Sequence, residues 1–396
     1  MVNAVALCAV GAEKTVSNEL KKLGLSIIEG GYGRVRFKAD VAGLYRALMA
    51  LRAADRVLLE AAFFEAADFD ALFEGVRNRP WEDYVPRRFG LRVAKVRTSR
   101  SRLEAETSIQ AVVHKAAAER LCQKWGVNRL PETGENEAEL RVYIEKDQVS
   151  VLLDLSGEPL FRRGYRTMGG IAPLRETTAA AIILYSGWRR KFSLYDPFCG
   201  AGTIAIEAAM YAWDIAPGVG RHFALERFLL GDRGAEQNVR NELLGKVDFS
   251  RLVRIGGSDN DAAAVAAAKS NMTRALALAG QRPAGTVPAF RVLPMEEAAP
   301  PREFLPAEGD AKGEAAGVAE GFIITNPPYG RRLGDTESAE KTYAEMGKLT
   351  RHFSGWKLAI ISDHPGFESF FGRKADSCRE ITNGAIRSYF YQYESI

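Results

Sequence analysis

Apolar residues recur along this chain at two periods, two and about three and a half residues, and the switches between them mark out its elements. An apolar run at Ala4 to Cys8 precedes Val16, Leu20 and Leu23 at helical spacing, which predicts a strand and then a helix from Ala12 to Leu23, with Gly24 as its C-cap. Strands near Ser26 to Phe37 and a helix over Val41 to Leu51 complete a small α+β unit. A second unit is predicted from Arg56 to Leu160, with strand Val57 to Phe64, helix Phe69 to Val76, strand Arg88 to Lys95, helix Ile109 to Trp125, and strands Glu139 to Ile144 and Ser150 to Asp154. Polar turns at Pro131 to Gly134 and at Lys146-Asp147 separate these elements, and an independent α/β domain fits the pattern. Arg162 to Arg175 mixes glycine and proline with four arginines and reads as a linker crossing the surface.

From Lys191 onward short apolar strands alternate with helical segments: Phe192 to Tyr195 then Thr203 to Trp213, Arg254 to Gly257 then Ala262 to Ala277, and the strands Phe322 to Thr325 and Lys357 to Ser362. That alternation predicts a parallel sheet flanked by helices, a nucleotide-type α/β domain. Between Ala298 and Gly321 the composition shifts to Ala, Glu, Pro and Gly, which reads as a flexible surface insertion without chemistry.

Length and composition narrow the class. With 396 residues, 46% of them apolar, two or three packed cores are expected. No apolar run is long enough to span a bilayer and the first residues lack a secretory pattern, so a soluble, cytoplasmic protein without a membrane partner is expected. Cys8, Cys122, Cys199 and Cys378 form no CxxC pair, which argues against a metal site or a disulfide framework. The net charge of +4 is mild, but ten basic residues stand against three acidic ones between Val85 and Trp125. This cluster, with Arg97, Arg100, Arg102 and Lys115, reads either as a phosphate-binding patch or as a solvated surface.

Three motifs carry candidate chemistry. Asp196-Pro197-Phe198-Cys199-Gly200-Ala201-Gly202-Thr203 joins a predicted strand to a predicted helix. Its glycines allow a sharp turn close to a ligand, and the helix start at Thr203 offers free amides to an anionic group. Asp196 suits a ligand that carries an amine as well as a carboxylate. A dinucleotide fingerprint fits less well, because position 205 is Ala and no NAD-type pattern follows. Gly257-Ser258-Asp259-Asn260-Asp261 ends the next strand, where Asp259 can accept both hydrogen bonds of a ribose diol and Asp261 suits a helix cap. Asn326-Pro327-Pro328-Tyr329-Gly330 follows an apolar strand. Two prolines donate nothing, leaving the Asn326 amide oxygen and the Asn326 and Pro327 carbonyls to accept from an NH2 group, with Tyr329 as a stacking face for a base. In isolation each motif is also an ordinary turn; their order along the chain sets them apart.

Together these motifs resemble the class I amino-methyltransferases with an NPPY active site. The upstream residues Asp55-Arg56-Val57, Asp154-Leu155-Ser156-Gly157, Arg163-Gly164-Tyr165-Arg166, Ala172-Pro173-Leu174-Arg175-Glu176-Thr177 and the late Asn383-Gly384 are similar to the bacterial THUMP-domain rRNA methyltransferases, a group often labelled N6-adenine-specific DNA methylase. The resemblance implies an α/β fold with a ferredoxin-like domain (1–56), a THUMP RNA-binding domain (57–160), a linker and leading helix (161–190) and a Rossmann-like methyltransferase domain (191–396). It implies S-adenosylmethionine as cofactor, held by Asp196, Phe198, Gly200, Gly202, Thr203, Asp259, Asn260, Glu176 and Thr177. Glu296, in Leu293-Pro294-Met295-Glu296-Glu297, stands where relatives place an aspartate toward the cofactor adenine. Asn326, Pro327, Pro328 and Tyr329 would form the catalytic motif, and Arg97, Arg100, Arg102, Lys115, Arg163 and Arg166 would hold RNA phosphates. The implied reaction is methylation of guanine N2 in 23S rRNA or an assembly intermediate, without a metal. Adenine-N6 methylation of DNA or RNA and a non-catalytic assembly factor are the alternatives. Cys199 lies in the cofactor loop and not in the base-binding motif, so covalent attack on a pyrimidine is not expected.

Overall fold

The computed structural model describes residues 1–132, 134, 136–166, 174–280, 287–304, 321–329 and 335–396. Most of the expected insertion at 298–321, part of the linker at 162–175, and Gly330 lie outside the described residues.

The amino-terminal half contains β1 (Val2–Cys8), α1 (Glu13–Lys22), β2 (Ser26–Gly31), β3 (Arg34–Ala39), α2 (Val41–Ala50), β4 (Ala54–Glu65), α3 (Phe69–Arg77), β5 (Gly90–Ser99), α4 (Glu106–Trp125), β6 (Glu137–Glu145) and β7 (Gln148–Asp154). Its strands form one sheet in the order β2-β3-β1-β4-β7-β6-β5. The expected boundary at 56/57 falls within β4, which pairs with β1 on one side and β7 on the other, so the two units share a continuous sheet. Period-2 alternation sends Ala4, Ala6, Phe37, Leu59 and Val151 into the main core with the helices. The opposite face holds a small apolar cluster, Val5, Leu58 and Leu152, with Leu7 and Tyr143 packed against it. Around it lie the Arg36–Glu60 pair at 2.8 Å and the Arg56 and Arg141 pairs with Asp154 at 2.5 and 3.3 Å.

The second half contains α5 (Glu176–Tyr185), β8 (Ser193–Asp196), α6 (Thr203–Ala212), α7 (Arg233–Leu244), β9 (Ile255–Asp259), α8 (Ala262–Ala277), β10 (Ala289–Val292), β11 (Gly321–Thr325), α9 (Asp335–Glu345), α10 (Leu349–His352), β12 (Lys357–Ser362), α11 (Phe367–Phe371), β13 (Ser377–Asn383) and β14 (Ile386–Tyr393). Its sheet runs β10-β9-β8-β11-β12-β14-β13. The first five strands are parallel and the last two are antiparallel. The chain leaves β8 toward β9 and returns on its other side at β11, so a crevice opens at the carboxyl ends of these strands. Among the described residues no helix is long and apolar enough to cross a membrane.

A buried polar junction ties the halves together. Arg163 is 2% exposed and donates to the carbonyls of Leu160 and Arg52, with Glu207 of α6 at 3.4 Å. Tyr165 donates to the same carboxylate at 3.2 Å, and Arg52 reaches the carbonyl of Ile215 at 2.8 Å. This corrects the expectation that Arg163 holds RNA: a guanidinium enclosed between two packed units cannot reach a phosphate, and its counter-charge lies 44 residues downstream. Arg163→Ala is expected to destabilise the chain by about 3–5 kcal/mol, because Glu207 is left buried without its ion-pair partner. A chemical-denaturation midpoint near wild type would contradict that account.

Candidate active site

β8 delivers Asp196 to the crevice, where its Oδ1 accepts from the Phe198 amide at 3.1 Å and from the buried Thr325 hydroxyl at 2.6 Å. The ends of β8 and β11 are thereby joined. Burial pushes the Asp196 carboxyl up to about 7, against the lowering effect of those two bonds. The following loop turns through Gly200 and Gly202, at φ +50° and +83°, and α6 starts at Thr203 with no side chain capping its first amides. Gly202 is needed twice over, since a Cβ there would stand 3.0 Å from Ala268 Cβ. Gly257 is a second steric requirement: a Cβ on it would meet Cys199 Cβ at 2.7 Å, where the loop crosses β9 and the Cys199 amide donates to Ser258 O.

Asp259, at the end of β9, accepts from the Gly200 amide at 2.9 Å and from the Asp261 amide at 3.0 Å. One carboxylate thus braces both ligand loops. Asp261 caps α8 through the Ala263 amide at 2.8 Å. Beyond β10, Glu296 sits exposed in the one-turn helix Met295–Glu297. At the end of β11, Asn326 is half-buried and its Oδ1 accepts from the Tyr329 hydroxyl, so the motif's own tyrosine takes the acceptor.

These elements border one cavity of about 720 Å³, lined by Asp196, Phe198, Gly200, Thr203, Asp259, Asn260, Glu296, Asn326 and Pro328. Gly202, Pro327 and Tyr329 flank it without being among its lining residues. Two expected cofactor residues are not brought to it. Glu176 is buried at 3.2 Å from Arg166, and Thr177 donates to Asp55 of β4 at 2.5 Å, so other partners take both side chains. Arg166 is displaced in the opposite sense: expected on the RNA surface, it lines the cavity and donates to Leu174 O at 3.2 Å and to the Thr203 hydroxyl.

The remaining RNA candidates are exposed. Arg97, Arg102 and Lys115 keep solvent-facing side chains beside Glu106, Asp147 and Glu119, and Arg100 stands on the loop between β5 and α4. Sequence reading missed Tyr343, whose buried hydroxyl donates to Pro328 O at 2.7 Å and braces the Asn-Pro-Pro-Tyr turn from behind. The apolar positions Ala339, Tyr343 and Met346 were the available signal, since their spacing puts them on one buried helix face. Burial raises the Cys199 thiol, with Asp196 and Asp259 adding to the shift, so it stays protonated and is no nucleophile. No histidine lines the cavity, and no cluster of three potential metal ligands occurs among the described residues.

Comparison with known proteins gives the family. The model of the RMKL-like methyltransferase domain matches residues 163–279 and 311–391, and that of the RlmL ferredoxin-like domain matches residues 3–58. YpsC of Bacillus subtilis, named as a candidate RNA methyltransferase, is 33% identical over 99% of this chain and 95% of its own length. The ribosomal RNA large subunit methyltransferase K/L of Syntrophotalea carbinolica is 31% identical over 97% of this chain, which spans 52% of that relative. Among solved structures, SMU.472, a candidate methyltransferase complexed with SAH, superposes with a TM-score of 0.83 at 35% identity, covering 100% of this chain and 98% of that one.

Fold and site therefore define a class I methyltransferase with a ferredoxin-like amino-terminal domain. The chain belongs to the RMKL-like methyltransferase family, and its cofactor is S-adenosylmethionine.

Proposed function

We propose that the chain methylates the exocyclic N2 amine of a guanine in large-subunit ribosomal RNA, and that residues 57–160 act as a THUMP module that holds the RNA. The observation that carries the reading is the placement of the Asn326 amide oxygen, an acceptor, on the same cavity as Asp196, Gly200 and Asp259. The names of the K/L relatives and of YpsC favour RNA over DNA.

The residues suit S-adenosylmethionine. Asp259 would take the ribose diol, Asp196 the amine, Arg166 with the open start of α6 the carboxylate, and Glu296 the adenine amine. The bound cofactor supplies an electrophilic methyl on a sulfonium. An exocyclic base amine is a poor nucleophile, because its lone pair is delocalised into the ring. Asn326, with the Pro327 carbonyl, would accept the N–H bonds, turn the lone pair toward the methyl and stabilise the positive charge growing on nitrogen. The Tyr329 hydroxyl must first leave Asn326, which frees its ring to stack on the incoming base. The base has to leave its stack, which costs least in a loop or in partly folded RNA.

Nucleoside mass spectrometry of rRNA from a strain lacking the gene tests the assignment. Loss of N2-methylguanosine, restored by the wild-type gene and not by Asn326→Ala, is expected. Unchanged rRNA with altered N6-methyladenine in DNA would replace it with the adenine reading.

A further inference from the structure

Beyond the cavity, the face of β14 that packs under α11 runs on toward the amino-terminal half. Tyr389 pairs in register with Ser362, the last residue of β12. The Ser362 hydroxyl lies 3.5 Å from that of Tyr343, which holds Pro328 O, so Tyr389 stands across β12 from the strand that carries the catalytic turn. Residues at i and i+2 on a strand share a face, which places Arg387, Tyr389 and Tyr391 in a row spaced by about 7 Å. The Tyr391 ring is covered by Phe367 of α11 at 4.9 Å and is 4% exposed. Further along the row the cover ends: Tyr389 is half-buried, and Arg387 is 67% exposed with its guanidinium 5.6 Å from the Tyr389 ring.

The row then meets the turn between β2 and β3. Arg387 pairs with Thr382, which exchanges two bonds with Val10: the Thr382 amide to Val10 O at 3.1 Å and the Val10 amide to the Thr382 hydroxyl at 3.0 Å. Val10 Cγ2 lies 3.7 Å from the Cβ position of Gly33, and the Gly33 amide is fixed by Glu13 at 2.8 Å. Tyr32, the residue before it, is 82% exposed. A tyrosine so exposed on a clamped turn contributes little to the core, yet it presents a flat face at a fixed place.

We propose that Tyr389, Arg387 and Tyr32 form a stacking track for the unpaired RNA strand that adjoins the target base. Rings interleaved with a cation are the platform that sequence-tolerant single-strand binders use, since every base offers a π-face. Arg387 also pairs with Glu380 at 2.7 Å, but both side chains face solvent, and an exposed pair of this kind is weak enough to yield to a phosphate. The track rests on the RNA reading above and gives it a direction: the strand leaves the catalytic turn across β14 toward the first domain.

The test uses the full chain, fluorescence anisotropy with a short labelled single-stranded RNA and with a fully paired RNA duplex, and SAH calorimetry as a check of the cofactor site. The Tyr32→Ala/Arg387→Gln double variant should bind single strands about tenfold or more weakly, with duplex and SAH affinities unchanged. Tyr32→Phe should keep wild-type binding, because the ring is what counts. Single-strand affinity unchanged in the double variant, or an equal loss for single strand and duplex, overturns the track. If wild type binds neither RNA, the RNA reading itself falls and the track with it.

Discussion

An Asn326→Ala enzyme is expected to bind SAH as wild type does and to turn over about 10²–10³-fold more slowly, the usual cost of removing one preorganised partner of developing charge. The asparagine oxygen contributes little before reaction, when the base amine carries no charge, so the loss should fall on kcat, with KM for RNA nearly unmoved. Some turnover should survive, because backbone carbonyls of the motif remain, and the Tyr343 bond to Pro328 O keeps the turn in shape without the side chain. Asn326→Asp retains an acceptor at the same place and should recover part of the rate. Equal losses in SAH affinity and in kcat would show that Asn326 supports the cavity wall and does not act on the substrate.

The candidate site was legible in the sequence because its residues follow strands directly. A strand end is a local feature, and the glycines, prolines and aspartates that turn the chain there are adjacent in sequence to the groups that meet a ligand. Asp196, Asp259 and Asn326 consequently line one cavity. The arginines were not legible in that way. Arg163 and Arg166 belong to one short stretch and look alike in sequence, yet one is sealed by Glu207 and the other opens onto the cavity, and those partners lie on α6, far along the chain. The antiparallel pair β13 and β14 departs from the βα alternation of the strands before it. The two-residue turn Gly384-Ala385 between paired strands, with Asn383 opposite Ile386, was its hairpin signal. Strand β4 was read correctly as a strand, but a sequence pattern does not reveal that both edges of a strand are paired, so the shared sheet stayed hidden.

Cofactor affinity should depend on pH through Asp196. Burial raises its carboxyl from 3.8 to about 7, so below neutrality the unliganded site holds it protonated, and a ligand ammonium finds no counter-charge. SAH affinity should therefore climb roughly tenfold between pH 6 and pH 8 and then level off. The folded chain binds this proton more tightly than the unfolded chain does. For the unliganded protein the sign is therefore opposite: stability is lost as pH rises from 3.8 to about 7, and it stays lost above that. Asp196→Asn keeps an oxygen for the Phe198 amide and the Thr325 hydroxyl, so it should fold. It should bind SAH weakly at every pH, meet the wild-type curve at the acid end, and melt at a higher temperature than unliganded wild type at pH 8. Calorimetry across that range, with melts of both proteins, separates two roles. A pH-independent wild-type affinity would remove Asp196 as the partner of the amine, whereas a variant that melts lower at pH 8 would show a carboxylate that serves the fold and not the ligand.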